Sequence, residues 1–408
     1  MIYNLIIHLY SSAVRLAALF NKKIALMRKG EEEAFRILEE KTVKGEKYLW
    51  FHAASLGEFE QGRPLIEEIH KHYPKYKILQ TFFSPSGYEV RKNYKGADIV
   101  CYLPIDTPRN ARRFIELTHP YMAFFIKYEF WQNYLNELYK HHIPTYSVSS
   151  IFRKDQIFFK WYGKEYSKVL HTFTHLFVQN NESVSLLHQL GVDQTSIAGD
   201  TRFDRVIEIC RQAKELPLVE KFKGDSFTFI AGSSWAPDED VFIPFLNSHT
   251  ELKFIIAPHV IDESHIKEIM GKVTRKTIRY TQATKETIAD ADCLIIDCFG
   301  LLSSIYRYGE IAYVGGGFGV GIHNVLEAAV YGMPVIFGPN NRRFREAQGL
   351  LACDGGFEIH GSKDFNDLMN RLLNDRAYLK EAGKLADEYV RENAGALNKI
   401  MRTISNKL

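Results

Sequence analysis

The chain has few cysteines, little net charge and no long apolar run, and each shortage removes a class of protein. Its five cysteines, Cys101, Cys210, Cys293, Cys298 and Cys353, are odd in number and scattered. They lack the paired short spacings of a zinc site or a secreted disulfide framework, and a reducing cytosol suits them. Charge of one sign is missing as well: 52 Lys and Arg against 49 Asp and Glu leave +3. That is far from the basic balance of a chain that coats nucleic acid, so no nucleic-acid partner is expected and any anionic ligand must be met locally. There is no P-loop, no HExxH and no Gly-x-Ser-x-Gly elbow, and no metal-ligand cluster or Asp-x-Asp stands beside the glycine-rich stretch described below. Neither a metal nor a cofactor is expected. What remains is an ordinary globular composition, 46% hydrophobic and 25% charged over 408 residues. At about 150 residues per domain, that length suggests two large domains.

Charge is lopsided only in the first 30 residues, where Arg15, Lys22, Lys23, Arg28 and Lys29 face no acid. On a helix, Asn4, His8, Ser11, Ser12, Arg15 and Lys22 fall on one side, and Leu5, Ile6, Leu9, Ala13, Leu16 and Phe20 on the other. A signal peptide is not indicated, because the positive charges follow the apolar stretch and Arg15 interrupts it. Only 14 residues precede Arg15, some of them polar, whereas a membrane span needs about 20 predominantly apolar residues. The pattern predicts an amphipathic helix lying at a membrane interface, its basic flank on anionic lipid; the alternative is a helix packed on its own domain.

Beyond residue 30, short β-branched or aromatic runs alternate with longer helical patterns, the signature of parallel βαβ units. Strands are predicted at 48–53, 77–81, 99–102, 122–126, 145–148 and 175–178, then at 227–231, 253–257, 293–296, 311–314 and 335–337. The fold class is therefore α/β, with two Rossmann-like domains at 31–205 and 206–408 behind the N-terminal helix of 1–30. The boundary falls where the unit ending in Gly199-Asp200-Thr201-Arg202-Phe203-Asp204 gives way to a polar stretch with Pro217. Open parallel sheets bind ligands beyond the carboxyl ends of their strands, so two such domains are expected to work in the cleft between them.

Two acids follow strands of the first domain. Glu58, in Ala54-Ser55-Leu56-Gly57-Glu58, lies in the first turn of a helix predicted to run to about His72, a favourable place for a carboxylate that accepts a proton from an alcohol. Ser55 and Glu58 equally spell a capping box, in which the acid only closes the helix end. Glu129, in Glu129-Phe130-Trp131-Gln132-Asn133, is either a second cleft acid or an exposed helix-start carboxylate.

In the second domain a strand runs into Gly315-Gly316-Gly317-Phe318-Gly319-Val320-Gly321-Ile322-His323-Asn324, with a helix predicted at about 325–331. Glycines let the backbone approach an anion, and a helix start supplies unpaired N–H groups that hold a nucleotide phosphate without metal. Glu327, one turn in, is placed to accept from ribose hydroxyls; alternatively Asn324 and Glu327 form another cap. Ser233 and Ser234 follow the first strand of this half, and Pro258 and His259 the second, facing the same ligand space. Taken alone, such serines are more often caps and such a histidine more often structural.

Together, Ala-Ser-Leu-Gly-Glu at 54–58, Glu-Phe-Trp-x-Asn at 129–133, Gly-Asp-Thr-Arg-Phe-Asp at 199–204 and Gly-Gly-Gly…His-Asn-x-Leu-Glu-Ala-Ala at 315–329 resemble the 3-deoxy-D-manno-octulosonic acid (Kdo) transferases of lipid A assembly, the KdtA/WaaA family. The resemblance implies a GT-B fold and an inverting transfer of Kdo from CMP-β-Kdo to the 6′-hydroxyl of a lipid A precursor. It also implies work at the cytoplasmic face of the inner membrane, with an N-terminal membrane anchor. By the same resemblance Glu58 matches the general base, Glu129 a second acid on the acceptor side, and 315–327 the CMP-binding part; the last helix crosses back to the first domain. Departures fall on the donor side: Ala257-Pro258-His259 stands where many relatives read Pro-Arg-His, Gly232-Ser233-Ser234-Trp235 replaces the more usual Ser-Thr-His, and Ile322 stands where a Gly often precedes the His.

Overall fold

The computed structural model describes residues 2–319 and 321–408. They divide into two compact units, 1–205 with 394–408, and 206–393. Each is built on a seven-stranded, wholly parallel sheet. In the first unit the strands are β1 (Tyr48–Ala53), β2 (Lys77–Phe82), β3 (Ile99–Tyr102), β4 (Met122–Ile126), β5 (Thr145–Ser150), β6 (His175–Val178) and β7 (Thr195–Ile197), in the order β3-β2-β1-β4-β5-β6-β7. The second holds β8 (Phe227–Ser234), β9 (Leu252–Pro258), β10 (Thr277–Arg279), β11 (Cys293–Ile295), β12 (Ile311–Val314), β13 (Val335–Phe337) and β14 (Gly356–Glu358), ordered β10-β11-β9-β8-β12-β13-β14.

Central strands are covered on both faces, which is why they read as unbroken apolar runs; every residue of β1 and of β4 is buried. Strand order reverses direction between β1 and β4 in the first sheet and between β8 and β12 in the second. Crossover helices leave these neighbouring strands toward opposite sides, opening a crevice at their carboxyl ends. The segments after β1, β4, β8 and β12 are the ones that carry the candidate residues.

The N-terminal segment forms two helices, not one. The first, α1 (Ile2–Ala17), stops short of Phe20 and Lys22. Asn21 then caps α2 (Lys22–Lys41), its side-chain oxygen accepting from the amides of Lys23 at 2.9 Å and Ile24 at 3.3 Å. The inner side of α1 docks through polar groups: Tyr3 donates its hydroxyl to Asp106, and Asn133 donates its amide to Asn4 at 2.8 Å. Ile7 is its one buried residue. The outer side carries Ile2, Leu5, Ile6, Leu9 and Leu16, all exposed. The helix thus packs on its domain and still presents an apolar stripe to solvent.

The helix Ala396–Ile404 belongs to the first unit, with Ala396, Ile400 and Ile404 buried in its core. Asp204, the last residue of the Gly-Asp-Thr-Arg-Phe-Asp motif, holds the start of that helix by accepting from the amides of Gly395 at 2.9 Å and Leu397 at 3.4 Å. The rest of the motif is built into the same unit: buried Asp200 takes Gln61 at 2.9 Å and pairs with Arg202 at 2.9 Å.

Candidate active site

Glu58 sits past the carboxyl end of β1, in the first turn of α3 (Leu56–His72). Ser55 occupies the N-cap, yet its side chain caps no amide; the hydroxyl donates instead to the Glu58 carboxylate. The geometry that would make Glu58 half of a capping box is therefore not formed, and the carboxylate is half-buried at the rim of the crevice.

Glu129 lies past β4, the strand paired with β1. Its Oε2 accepts from the Trp131 indole at 2.7 Å and stands 3.1 Å from Nε2 of His52, a fully buried side chain near the end of β1. Asp106 fixes the following helix, Gln132–Lys140, by accepting from the amides of Asn133 and Tyr134 at 3.0 Å each. Burial lifts the Asp106 carboxyl, against the bonds from Tyr3 and these amides that favour its charge. No direct contact joins Glu58 and Glu129 among the described residues; each is held by its own neighbours.

In the second unit three rings come together past β8, β9 and β12. His259 stacks on both Trp235 and His323, with ring centroids 4.6 Å and 4.3 Å away. The amide of His259 donates to the Ser234 carbonyl at 2.9 Å, and Pro258 pairs with Ser234 in register. The Trp235 indole donates to Nε2 of His323 at 3.1 Å. Burial, and next the neighbouring His259, push the His323 imidazole down to about 4. Because indole can only donate, neutral His323 carries its proton on Nδ1 and keeps that position as a donor.

The glycines of this loop approach the protein itself. Gly315 lies against the backbone of Ser233 and Ser234, where a Cβ would come within 2.3 Å of the Ser233 carbonyl oxygen. Gly316 adopts φ 94°, conformational space that favours glycine. Its amide donates to buried Asp238 at 2.8 Å, and that of Gly315 donates to Gly232 at 2.9 Å. Gly317 abuts Gly338. The first two amides of the run are thus spent within the fold. Val320 lies outside the described residues.

The helix predicted at 325–331 is a single turn, Leu326–Ala329, because Gly332 with φ 73° and Pro334 end it. Asn324 accepts from the Leu326 amide at 3.2 Å and donates to Glu327 at 3.0 Å, so these two side chains are paired at its start. A single turn carries little dipole, which shifts weight in any anion site here from the helix end to side-chain donors. Ser233 is half-buried, whereas Ser234 is fully buried and donates its hydroxyl to Glu239 at 2.9 Å.

Sequence reasoning missed Asp238, which accepts from the Trp235 amide at 2.9 Å, the Tyr313 hydroxyl at 2.8 Å and the Gly316 amide. Its only signal was an acid four residues after the end of β8. His52 was missed too, hidden in an apolar run that reads as plain core.

The model of the family described as 3-deoxy-D-manno-octulosonic-acid transferase (kdotransferase) matches residues 28–205. A relative named 3-deoxy-D-manno-octulosonic acid transferase from Aquifex aeolicus is 27% identical over 81% of this chain and 88% of its own length. Another of that name from Haemophilus influenzae is 26% identical over 86% and 85%. The chain is similar to the 3-deoxy-D-manno-octulosonic acid transferases over most of its length. Among solved structures, UDP-GlcNAc 2-epimerase from Neisseria meningitidis bound to UDP-GlcNAc covers 88% of this chain and all of its own, with a TM-score of 0.63 at 14% identity. At that identity the likeness shows the fold, which is of the GT-B kind.

The burial of His323 beside His259 has a measurable consequence. The His323 pKa is lowered from 6.5 to about 4, so between those values the unfolded chain binds a proton that the folded one refuses. Its contribution to stability is complete above about pH 6.5 and is lost as pH falls toward 4. Thermal unfolding across that window should show a fall in Tm that is shallower in His323→Gln, and an NMR titration should place this imidazole near 4.

Proposed function

We propose that the protein is an inverting glycosyltransferase that moves Kdo from CMP-β-Kdo to the 6′-hydroxyl of a lipid A precursor at the cytoplasmic face of the inner membrane. The observation that carries this reading is the pair of carboxylates, Glu58 and Glu129, placed past adjacent strands at the switch point of a Kdo-transferase-family unit. In the transfer, the acceptor hydroxyl oxygen attacks the anomeric carbon of Kdo as the bond to the CMP phosphate oxygen breaks. Glu58 takes the hydroxyl proton, and CMP departs with the bonding electrons. Hydrogen-bond donors on the donor side stabilise the departing phosphate, and the His323 Nδ1–H is a candidate among them.

Incubation with lipid IVA, Kdo, CTP and a CMP-Kdo synthetase should give a lipid heavier by whole Kdo residues. Unchanged lipid mass, or turnover of UDP-GlcNAc in a parallel incubation, would overturn the reading. With preformed CMP-Kdo, transfer is expected to continue in EDTA.

Attachment to the membrane rests on α1. Its exposed apolar stripe, with Arg15 near its end and Lys22 and Lys23 at the start of α2, suits an anionic bilayer surface, while no helix among the described residues is long and apolar enough to cross one. Each basic residue near such a surface contributes about 1 kcal/mol, so reversing all three to Glu should visibly reduce sedimentation with anionic vesicles and leave CMP binding intact.

A further inference from the structure

His52 is a histidine that the proposed chemistry does not use, yet it stands at the centre of a buried hydrogen-bonded chain that ends on Glu129. Its side chain is fully buried, as is Thr81, and the His52 Nδ1 lies 2.9 Å from the Thr81 hydroxyl. The Trp50 indole donates to that same hydroxyl at 2.8 Å. On the other edge of the ring, Nε2 faces the Glu129 carboxylate at 3.1 Å, and the Trp131 indole approaches both, 3.0 Å from Nε2 and 2.7 Å from Oε2.

The Trp131 indole has one N–H, which reaches Oε2 at 2.7 Å and Nε2 at 3.0 Å. Were the His52 proton on Nδ1, that single N–H would have to serve both acceptors, which stand 3.1 Å apart in a buried site. With the proton on Nε2, the Thr81 hydroxyl donates to Nδ1 and each acceptor has its own donor. His52 then donates to Oε2 beside Trp131, so one carboxylate oxygen is held by two N–H donors and Oε1 is the oxygen left for a substrate. Thr81, anchored by Trp50, keeps the imidazole from rotating. A lone buried histidine is ordinarily a core residue with its hydrogen bonds satisfied, but such a residue needs no carboxylate at the mouth of a switch-point crevice.

We propose that His52 is a positioning residue that fixes the orientation of Glu129, through a chain running from Trp50 and Thr81 to the carboxylate. This assignment rests on the Kdo-transfer reading for its effect on rate, but the proton between His52 and Glu129 is a property of the folded protein alone.

The test is a double-mutant cycle in the full-length protein, with transfer and fold measured together. His52→Leu should lower kcat by about 10²-fold, the cost of a misplaced group, with KM for CMP-Kdo unchanged. His52→Gln, which can still donate toward Oε2, should recover most of that loss. With Glu129→Gln already present, His52→Leu should cost little more, because its effect passes through Glu129. Full additivity of the two changes, or equal damage from Gln and Leu, would overturn the proposal and leave His52 as core packing. In parallel, NMR of the parent should show a slowly exchanging proton on Nε2 of one histidine, assigned by its loss in His52→Gln and shifted in Glu129→Gln. A bare Nε2 would also overturn it. If the parent transfers no Kdo at all, the NMR result still decides the pairing, and only the proposed function fails.

Discussion

Glu58→Gln is expected to fold, melt and bind CMP like the parent while losing about 10²–10⁴-fold in transfer, the usual loss when a positioned base is removed. The substitution keeps size and an oxygen that can accept from Ser55, but removes the charge that takes a proton. The structure sharpens the comparison with a capping role, because Ser55 donates to the carboxylate and caps no amide. Were Glu58 only a helix-end residue, Gln would serve nearly as well and transfer would stay close to normal. Ser55→Ala separates the two further. A working N-cap serine costs about 1 kcal/mol when removed, whereas here the change should leave the melting temperature nearly unmoved and act on rate. A folded Gln variant with near-parent transfer would move the base to Glu129.

What the sequence revealed and what it hid follow the same physics. Each predicted strand exists, and the three that escaped prediction, β7, β10 and β14, are all three-residue strands at sheet edges. An edge strand has one neighbour and needs no continuous apolar run; the six outer residues Thr195-Ser196-Ile197 and Thr277-Ile278-Arg279 illustrate it. The loop acids were readable because an acid just past an apolar run is conspicuous. Asp238 and Glu239 were not, since they lie in the first turn of a helix, where acids are ordinary, and only the fold brings Asp238 to the Gly316 amide, 78 positions away. The glycine run was legible as a place of close approach, but not which partner is approached; Ser233, Asp238 and Gly338 occupy that role. The N-terminal helix was legible in character but not in length. Asn21 is a good cap residue in a stretch whose periodicity continues past it, and the cap overrides the period.

Changing Leu5, Leu9 and Leu16 together to Glu is expected to release the protein from vesicles more completely than reversing its basic flank. These residues are 61%, 63% and 63% exposed, so the folded protein gains nothing from them in solution and should tolerate the change with an unaltered melting temperature. Burying a leucine stabilises by about 1.5 kcal/mol at the low end, so losing three removes about 4.5 kcal/mol, more than a thousandfold in partition. The inner side of α1 is untouched, and the contacts of Tyr3 and Asn4 with Asp106 and Asn133 stay in place. Removing residues 2–17 outright is a different experiment, because it also strips the groups that brace the segment carrying Glu129. The two should separate: the triple Glu variant should keep transfer to a detergent-dispersed acceptor while losing it on vesicles, and the truncation should lose both. Salt provides the remaining control, since attraction through Arg15, Lys22 and Lys23 is screened and apolar insertion is not. Vesicle binding by the triple Glu variant equal to that of the parent would show that the stripe faces something other than lipid.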